Sequence, residues 1–168
     1  MPTNTHVFTG LDGSISLAVE SGPAGDAAKT VNDAYGLTPI GRATGVTVEV
    51  TSTVTPFHEL GQRYATELRE GNVEVKGTIG RAHVNGALLK LMLGEAGAGG
   101  TRPAGAFVSP SFNLSLRMEN GAYPGNNATV TLHGVKLDGW SFSMPEDDYV
   151  LEQATFRALW ISAADAGT

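Results

Sequence analysis

Three consecutive acidic residues, Glu146, Asp147 and Asp148, follow Pro145 in the last part of the chain. Clustered carboxylates bind divalent cations or carry out acid–base catalysis, so this run is the first place to look for chemistry. A calcium loop, however, needs oxygen ligands at alternating positions, and neighbouring residues of an extended strand point to opposite faces. We therefore predict that the three residues form the solvated tip of a β-hairpin and hold no metal.

Other residue types that support catalysis are present without the spacing that catalysis needs. The histidines show neither an HExxH pattern nor the spacing of metal ligands; they are His6, His58, His83 and His133. The chain has no cysteine and no GxSxG sequence around a serine. The glycine-rich stretch GEAGAGG lacks the GK[ST] that completes a phosphate-binding loop. The sequence thus predicts a protein that is no enzyme and takes no cofactor or metal.

Composition and charge argue against two further classes of function, nucleic-acid binding and membrane insertion. The chain has 168 residues, 17 of them acidic and 11 basic, for a net charge of −6. This excess of acidic residues argues against a nucleic-acid-binding protein, because phosphate binding needs a basic surface. The N-terminal stretch MPTNTHVFTG lacks the features of a signal peptide, and no apolar run is long enough to span a bilayer. We expect a protein made in the cytoplasm with no membrane contact.

The elements that must position these residues are mostly strands. In 45–54, valines alternate with Glu49 and threonines, as in a strand with one buried and one wet face. The same alternation recurs in segments 14–20, 72–79, 111–119, 128–144 and 149–162. Residues 83–94 are apolar at helical spacing and end at Gly94. The predicted fold is mainly β: an antiparallel sandwich or barrel of about seven strands in one domain, 1–168, with one short helix packed outside.

Two glycines interrupt the alternation in 128–144. Val130 and Leu132 are in phase, and the apolar phase then changes at Gly134 and again at Gly139. A glycine at a phase change indicates a β-bulge or a tight bend. Trp140, after the second change, and Trp160 fall in phase with inward-facing residues, so both are predicted to lie in the core.

Three segments are predicted as long loops: 21–43, 55–71 and 94–106. The first and third are rich in small residues, and 94–106 has the composition of a flexible linker. Segment 55–71 differs, because it mixes aromatic, aliphatic and charged side chains in the manner of protein–protein interfaces. Its candidate contact residues are Phe57, Glu59, Leu60, Arg63, Tyr64, Glu67, Leu68 and Arg69.

Two stretches, 55–93 and 130–159, resemble the tail tube proteins of tailed phages and contractile injection systems. In that family a loop with a G-x-R…E-L-x-x-G pattern leads into a strand of the type V-x-G-x-I-x-R and then a short helix. The matching residues here are Gly61, Arg63, Glu67, Leu68, Gly71, Val75, Gly77, Ile79, Arg81 and helix 84–93. A second pattern joins a tryptophan strand, an acidic hairpin and a final strand. It is matched by Gly134, Val135, Trp140, Pro145, Glu152, Phe156 and Ala158.

The resemblance implies a structural virion protein that forms stacked hexameric rings. The stacked rings would form a tube through which DNA or another payload reaches the host cell, with DNA passing the lumen without specific binding. Segment 55–71 would contact the next ring, and tail sheath, baseplate, tail terminator and tape-measure proteins would be further partners. The acidic hairpin tip 146–148 would lie at a ring surface, with Arg63 or Arg69 of a neighbouring ring as its partner. The protein would then be located in the virion tail.

A carbohydrate- or partner-binding β-sandwich is the alternative function. Such modules usually display exposed aromatic side chains on one face, whereas Trp140 and Trp160 are predicted to point inward. The two functions therefore differ in where these tryptophans lie and in whether the protein assembles into rings.

Overall fold

The structure is a computed structural model that describes residues 6–97, 99–103 and 105–166. Parts of the predicted domain and of the predicted loop 94–106 lie outside these residues. The strands are β1 (Gly13–Val19), β2 (Ala43–Phe57), β3 (Glu67–Ala82), β4 (Phe112–Glu119), β5 (Asn127–Ser143), β6 (Leu151–Ala158) and β7 (Trp160–Ala166). The helices are α1 (Pro23–Tyr35) and α2 (Ala87–Leu93), with short 3-10 turns at Gly10–Asp12 and Gly94–Gly97.

The strands form one antiparallel sheet in the order β1-β4-β5-β6-β3-β2, and β7 also pairs with β5. The sheet curls into a half-barrel because β5 takes part in both of its halves. The first half of β5 lies between β4 and β7, while its second half, from Lys136 onward, pairs with β6. The prediction of a mainly β, antiparallel fold with about seven strands is confirmed.

Both glycine phase changes in β5 are bulges, as predicted. The register shifts between Phe112 and Leu114 opposite Gly134, and again between Leu137 and Gly139. Gly134 has φ +64°, and a Cβ there would lie 2.5 Å from the Leu159 side chain. Glycine is therefore required at the position where the strand turns from one half of the sheet into the other.

Helix α1 lies within predicted loop 21–43, so that prediction was wrong, and the described residues contain two α-helices instead of one. Pro23 starts the helix at a position that needs no N–H donor, and Gly36 ends it in the left-handed conformation. Only Gly25, Ala28 and Val31 of this helix are buried. Such small residues give too weak an apolar stripe to indicate a helix in the sequence.

The core lies between the apolar face of the curled sheet and the two helices. Helix α2 contacts β5, and the prediction of a helix in 83–94 is confirmed with a later start, at Ala87. No helix among the described residues is long and apolar enough to cross a membrane. The large core residues include Leu17, Ile79, Leu88, Leu91, Phe112, Leu114, Leu132 and Phe156.

Trp160 does not point inward as predicted. The chain breaks its alternation at Leu159, between β6 and β7, and Trp160 is 54% exposed and stacked on His133 at 3.7 Å. Trp140, by contrast, is partly buried and packs against the core. No glycine marks the phase change at Leu159. The alternation therefore appeared continuous in the sequence, and Trp160 was wrongly predicted to lie in the core.

Candidate functional site

The predicted loop 55–71 is mostly the end of a long β-hairpin. Strands β2 and β3 pair as far as Phe57 and Glu67, so only residues 58–66 form the turn. Backbone bonds from Gln62 N–H to Glu59 and from Thr66 N–H to Phe57 close it. Of the candidate contact residues, Phe57, Glu67, Leu68 and Arg69 therefore lie in strands, while Glu59, Leu60, Arg63 and Tyr64 lie in the turn.

This hairpin overhangs the rest of the sheet. Strand β6 pairs with β3 only from Val75 to Ala82, so within the described parts of the chain residues 67–74 of β3 pair with β2 alone. Every described side chain of the turn is exposed, Leu60 fully and Tyr64 to 84%. An overhang of this kind is stable in water as an extension of the longer ladder, and it leaves aromatic and aliphatic side chains exposed at its tip.

The overhang also carries apolar side chains along one face. Val54 and Leu68 lie two register positions apart on the two strands, and Val50 and Val73 lie nearer the body of the domain. All four are about half exposed or more. A patch of this kind on a small protein indicates an interaction surface.

The acidic run lies at the opposite end of the four neighbouring strands β2, β3, β6 and the second half of β5. Residues 144–150 connect β5 to β6, where Ser143 and Leu151 face each other and Leu151 pairs with Ala82 at the end of β3. All three carboxylates are exposed, and Asp148 accepts a hydrogen bond from the N–H of Tyr149 at 2.7 Å. Among the described residues no group of three or more acidic or histidine side chains is arranged to hold a metal ion.

Exposed apolar residues surround this acidic connection as well. Phe142, Met144 and Tyr149 are 50–81% exposed, and Val84 is 63% exposed beside them in the chain that follows β3. Each end of the four-stranded part of the sheet thus presents charged side chains together with apolar ones. The acidic connection carries three carboxylates, whereas the hairpin end carries both signs, with Arg69 Nε 3.3 Å from Glu67 Oε1 and Arg63 in the turn.

The wet face of β2, β3, β6 and the second half of β5 is a network of hydroxyls and paired charges. Thr47 and Thr78 share a hydrogen bond across β2 and β3 at 2.5 Å, and Lys76 Nζ lies 3.7 Å from Glu49 Oε1. Arg157 contacts Glu74 on one side and Asp138, at 3.2 Å, on the other. Asp138 also accepts from the Thr155 hydroxyl at 2.6 Å. Most charged side chains of this face pair with one another, and the face carries few apolar side chains.

Both edges of these four strands are open among the described residues. Strand β2 pairs only with β3. The second half of β5, from Lys136 to Ser143, pairs only with β6, because the pairing of β4 stops at Val135. An unpaired strand edge is a row of unused N–H and C=O groups that another strand can complete.

A buried ion pair fixes the end of β3 and the start of α2. Arg81 Nε lies 2.5 Å from Glu152 Oε1, and both side chains are almost fully buried. Glu152 Oε2 accepts the Trp140 indole N–H at 2.9 Å and lies 3.1 Å from His83 Nδ1. Arg81 Nη2 also donates to the side-chain oxygen of Asn85 at 3.0 Å. Both residues stand in phase with buried residues of their strands, but nothing in the sequence shows that the two strands bring them together.

The pKa of Glu152 is set by opposing effects. Burial raises it, but hydrogen bonds from Trp140, Arg81 and His83, together with the positive charge of Arg81, outweigh burial and hold the pKa below its usual value. The carboxylate is therefore ionised in the folded protein and bonded on both oxygens.

This lowered pKa predicts a loss of stability in acid. The contribution of Glu152 is complete above the unfolded glutamate pKa of about 4.3 and is lost as the pH falls through the lower folded value. We expect the free energy of unfolding, measured with urea from pH 7 to pH 3, to decline less steeply below pH 4.3 in Glu152→Gln than in the wild type. Glu49→Gln, on the wet face, is the control and should keep the wild-type slope. An unchanged slope in Glu152→Gln would contradict the assignment.

Comparison with known proteins shows which solved structures share this fold. No family model and no curated protein sequence matches the chain. Among solved structures, a chain of the anti-feeding prophage cap, a tube-terminating cap, aligns with a TM-score of 0.64 at 8% identity over 99% of this chain and 96% of that one. A chain of the PVC sheath–tube complex, from an extracellular contractile injection system, aligns with a TM-score of 0.63 at 8% identity, covering 96% and 93%. The fold is that of the tail tube proteins.

A phage example extends the comparison. A chain of the SPP1 tail tube aligns with a TM-score of 0.53 at 11% identity and covers 96% of this chain and 80% of that one. The tail tube fold predicted from 55–93 and 130–159 is thus confirmed as a fold. At such low sequence identity the structural similarity shows the fold alone and assigns no role to any residue of this chain.

Proposed function

We propose that the protein is a non-enzymatic structural subunit of a tail tube, in a phage or a related contractile injection system. The observation that carries the proposal is the pair of open edges on one four-stranded sheet with a polar face. A fold shared with tube and tube-cap proteins supports the same function. The protein would act in the assembled tail, with sheath, terminator, baseplate and tape-measure proteins as partners.

The strand directions favour closure into a ring. The four strands β2, β3, β6 and β5 are antiparallel to their neighbours, so β2 and the second half of β5 run in opposite directions. When copies are related by rotation about an axis along the strands, the β2 edge of one copy meets the β5 edge of the next in antiparallel orientation. Six copies would then build one closed barrel with no exposed edge.

The polar face of the same strands would line the lumen. Its hydroxyls and paired charges offer a surface along which a polymer can move without being held. The apolar face cannot take this place, because the core and both helices cover it.

The two ends of the sheet would contact successive rings. The hairpin turn 58–66, with Arg63 and Tyr64, would meet the acidic connection 146–148 of the next ring, because the two lie at opposite ends of the same strands. Head-to-tail contacts of this kind propagate into a filament. Apolar residues at both ends would be buried with the charged ones.

The proposal predicts rings and tubes of one diameter. Negative-stain electron microscopy of the concentrated full-length protein should show them, and sedimentation should show a hexamer as the smallest stable assembly. A protein that stays monomeric at all concentrations would contradict the proposal. Saturable glycan binding by such a monomer, with Trp160 as the exposed ring, would instead support the carbohydrate-binding alternative.

A further inference from the structure

The acidic and basic residues of the wet face balance in number. Three acidic residues, Glu49, Glu74 and Asp138, stand among three basic ones, Lys76, Lys136 and Arg157, on adjacent strands. The chain as a whole has six more acidic than basic residues. This face is therefore neutral on a protein that is negative elsewhere.

The arrangement of the pairs places carboxylates around the cations. Arg157 has Glu74 on one side and Asp138 on the other, so carboxylate oxygens occupy both its Nε and its Nη1. Lys76 faces Glu49 across β2 and β3. Lys136 lies directly opposite Arg157 in the β5–β6 register. A phosphate that approached Lys76 or Arg157 would have to displace a carboxylate already beside it.

Stability alone does not account for these pairs. All the charged groups involved are about half exposed, and exposed ion pairs add little to the free energy of folding. Their main effect is on the surface potential, because three unpaired cations on one flat face would attract a polyanion.

We propose that Glu49, Glu74 and Asp138 shield Lys76 and Arg157 from phosphate and balance the charge of Lys136, so that duplex DNA moves along this face without being retained. The inference rests on the proposed function, in which the face lines the lumen. It adds that neutrality by cross-strand pairing, and not net negative charge, prevents retention. Removing the three carboxylates should then convert the face into a DNA-binding surface.

The test measures binding of a fluorescent 20-base-pair duplex by anisotropy in low salt, with full-length protein kept dilute enough to remain unassembled. The wild type should not bind. The triple variant Glu49→Gln, Glu74→Gln, Asp138→Asn should bind, with log affinity falling against log salt with a slope of about −2 to −3 for about three phosphate contacts. Adding Arg157→Gln to the triple variant should abolish or strongly weaken this binding.

A matched control separates local shielding from net charge. Asp26→Asn, Asp33→Asn, Asp165→Asn removes the same number of charges from exposed sites on other surfaces and should leave binding undetectable. Equal binding by the control and the triple variant would overturn the inference, as would binding by the wild type. Absence of binding by a triple variant with wild-type thermal unfolding would overturn it as well. Ring formation by the wild type is judged separately by microscopy, so that failure of the tube function is distinguishable from failure of the shielding.

Discussion

Arg81→Met should lower the free energy of unfolding by about 3–5 kcal/mol, the usual effect of removing one partner from a buried ion pair. Arg81 is 3% exposed and Glu152 is 2% exposed. Without the guanidinium, the Glu152 carboxylate keeps Trp140 and His83 as partners but stays buried without the positive charge of Arg81. Asn85 loses its bond to Arg81 at the same time. Urea unfolding at pH 7 measures the change.

Two further variants show whether the buried charge is the cause. In Arg81→Met, Glu152→Gln, the amide oxygen still accepts from Trp140 and no buried charge remains, so much of the lost stability should return. Arg157→Met removes an exposed arginine that also has two carboxylate partners, and it should cost no more than about 1 kcal/mol. A loss below about 1 kcal/mol in Arg81→Met would show that the pair is replaceable and does not anchor this end of the sheet.

The sequence predicted the strands because one face of each is apolar and the other polar. Alternation in 45–54 and 72–79 located β2 and β3, and the glycines at 134 and 139 located both bulges of β5. The same logic failed where a strand has no buried face. Residues 55–57 pair with 67–69 in the overhang with both faces exposed, so no alternation marks them as strands.

The ends of the sheet show which parts of the site a sequence can reveal. Residue types indicated a contact surface in 55–71 and a solvated turn at 146–148. That the two lie at opposite ends of one set of strands follows only from the register, since pairing over long sequence distances decides it. The buried Arg81–Glu152 pair likewise depends on two strands meeting, and charged residues are rarely expected inside.

Leu60→Ala with Tyr64→Ala should prevent ring stacking and leave the fold unchanged. Both side chains are almost wholly exposed in the subunit, so their removal takes little from folding. If they are central contact residues between rings, each costs about 2 kcal/mol or more when truncated, about a 30-fold weaker contact apiece. Microscopy should show single rings at concentrations where the wild type forms tubes. Leu11→Ala, at 97% exposure on another surface, is the control and should form normal tubes.

Exchanging charges between the two surfaces tests whether the hairpin turn of one ring contacts the acidic connection of the next. Asp147→Lys, Asp148→Lys should also stop at single rings, because like charges would then oppose each other at the contact with Arg63. Adding Arg63→Glu to that variant should restore tubes, which a merely structural role for the acidic connection cannot explain. Normal tube length in the Asp147→Lys, Asp148→Lys variant would show that the run is only a solvated turn, and that the hairpin of one ring contacts some other part of the next.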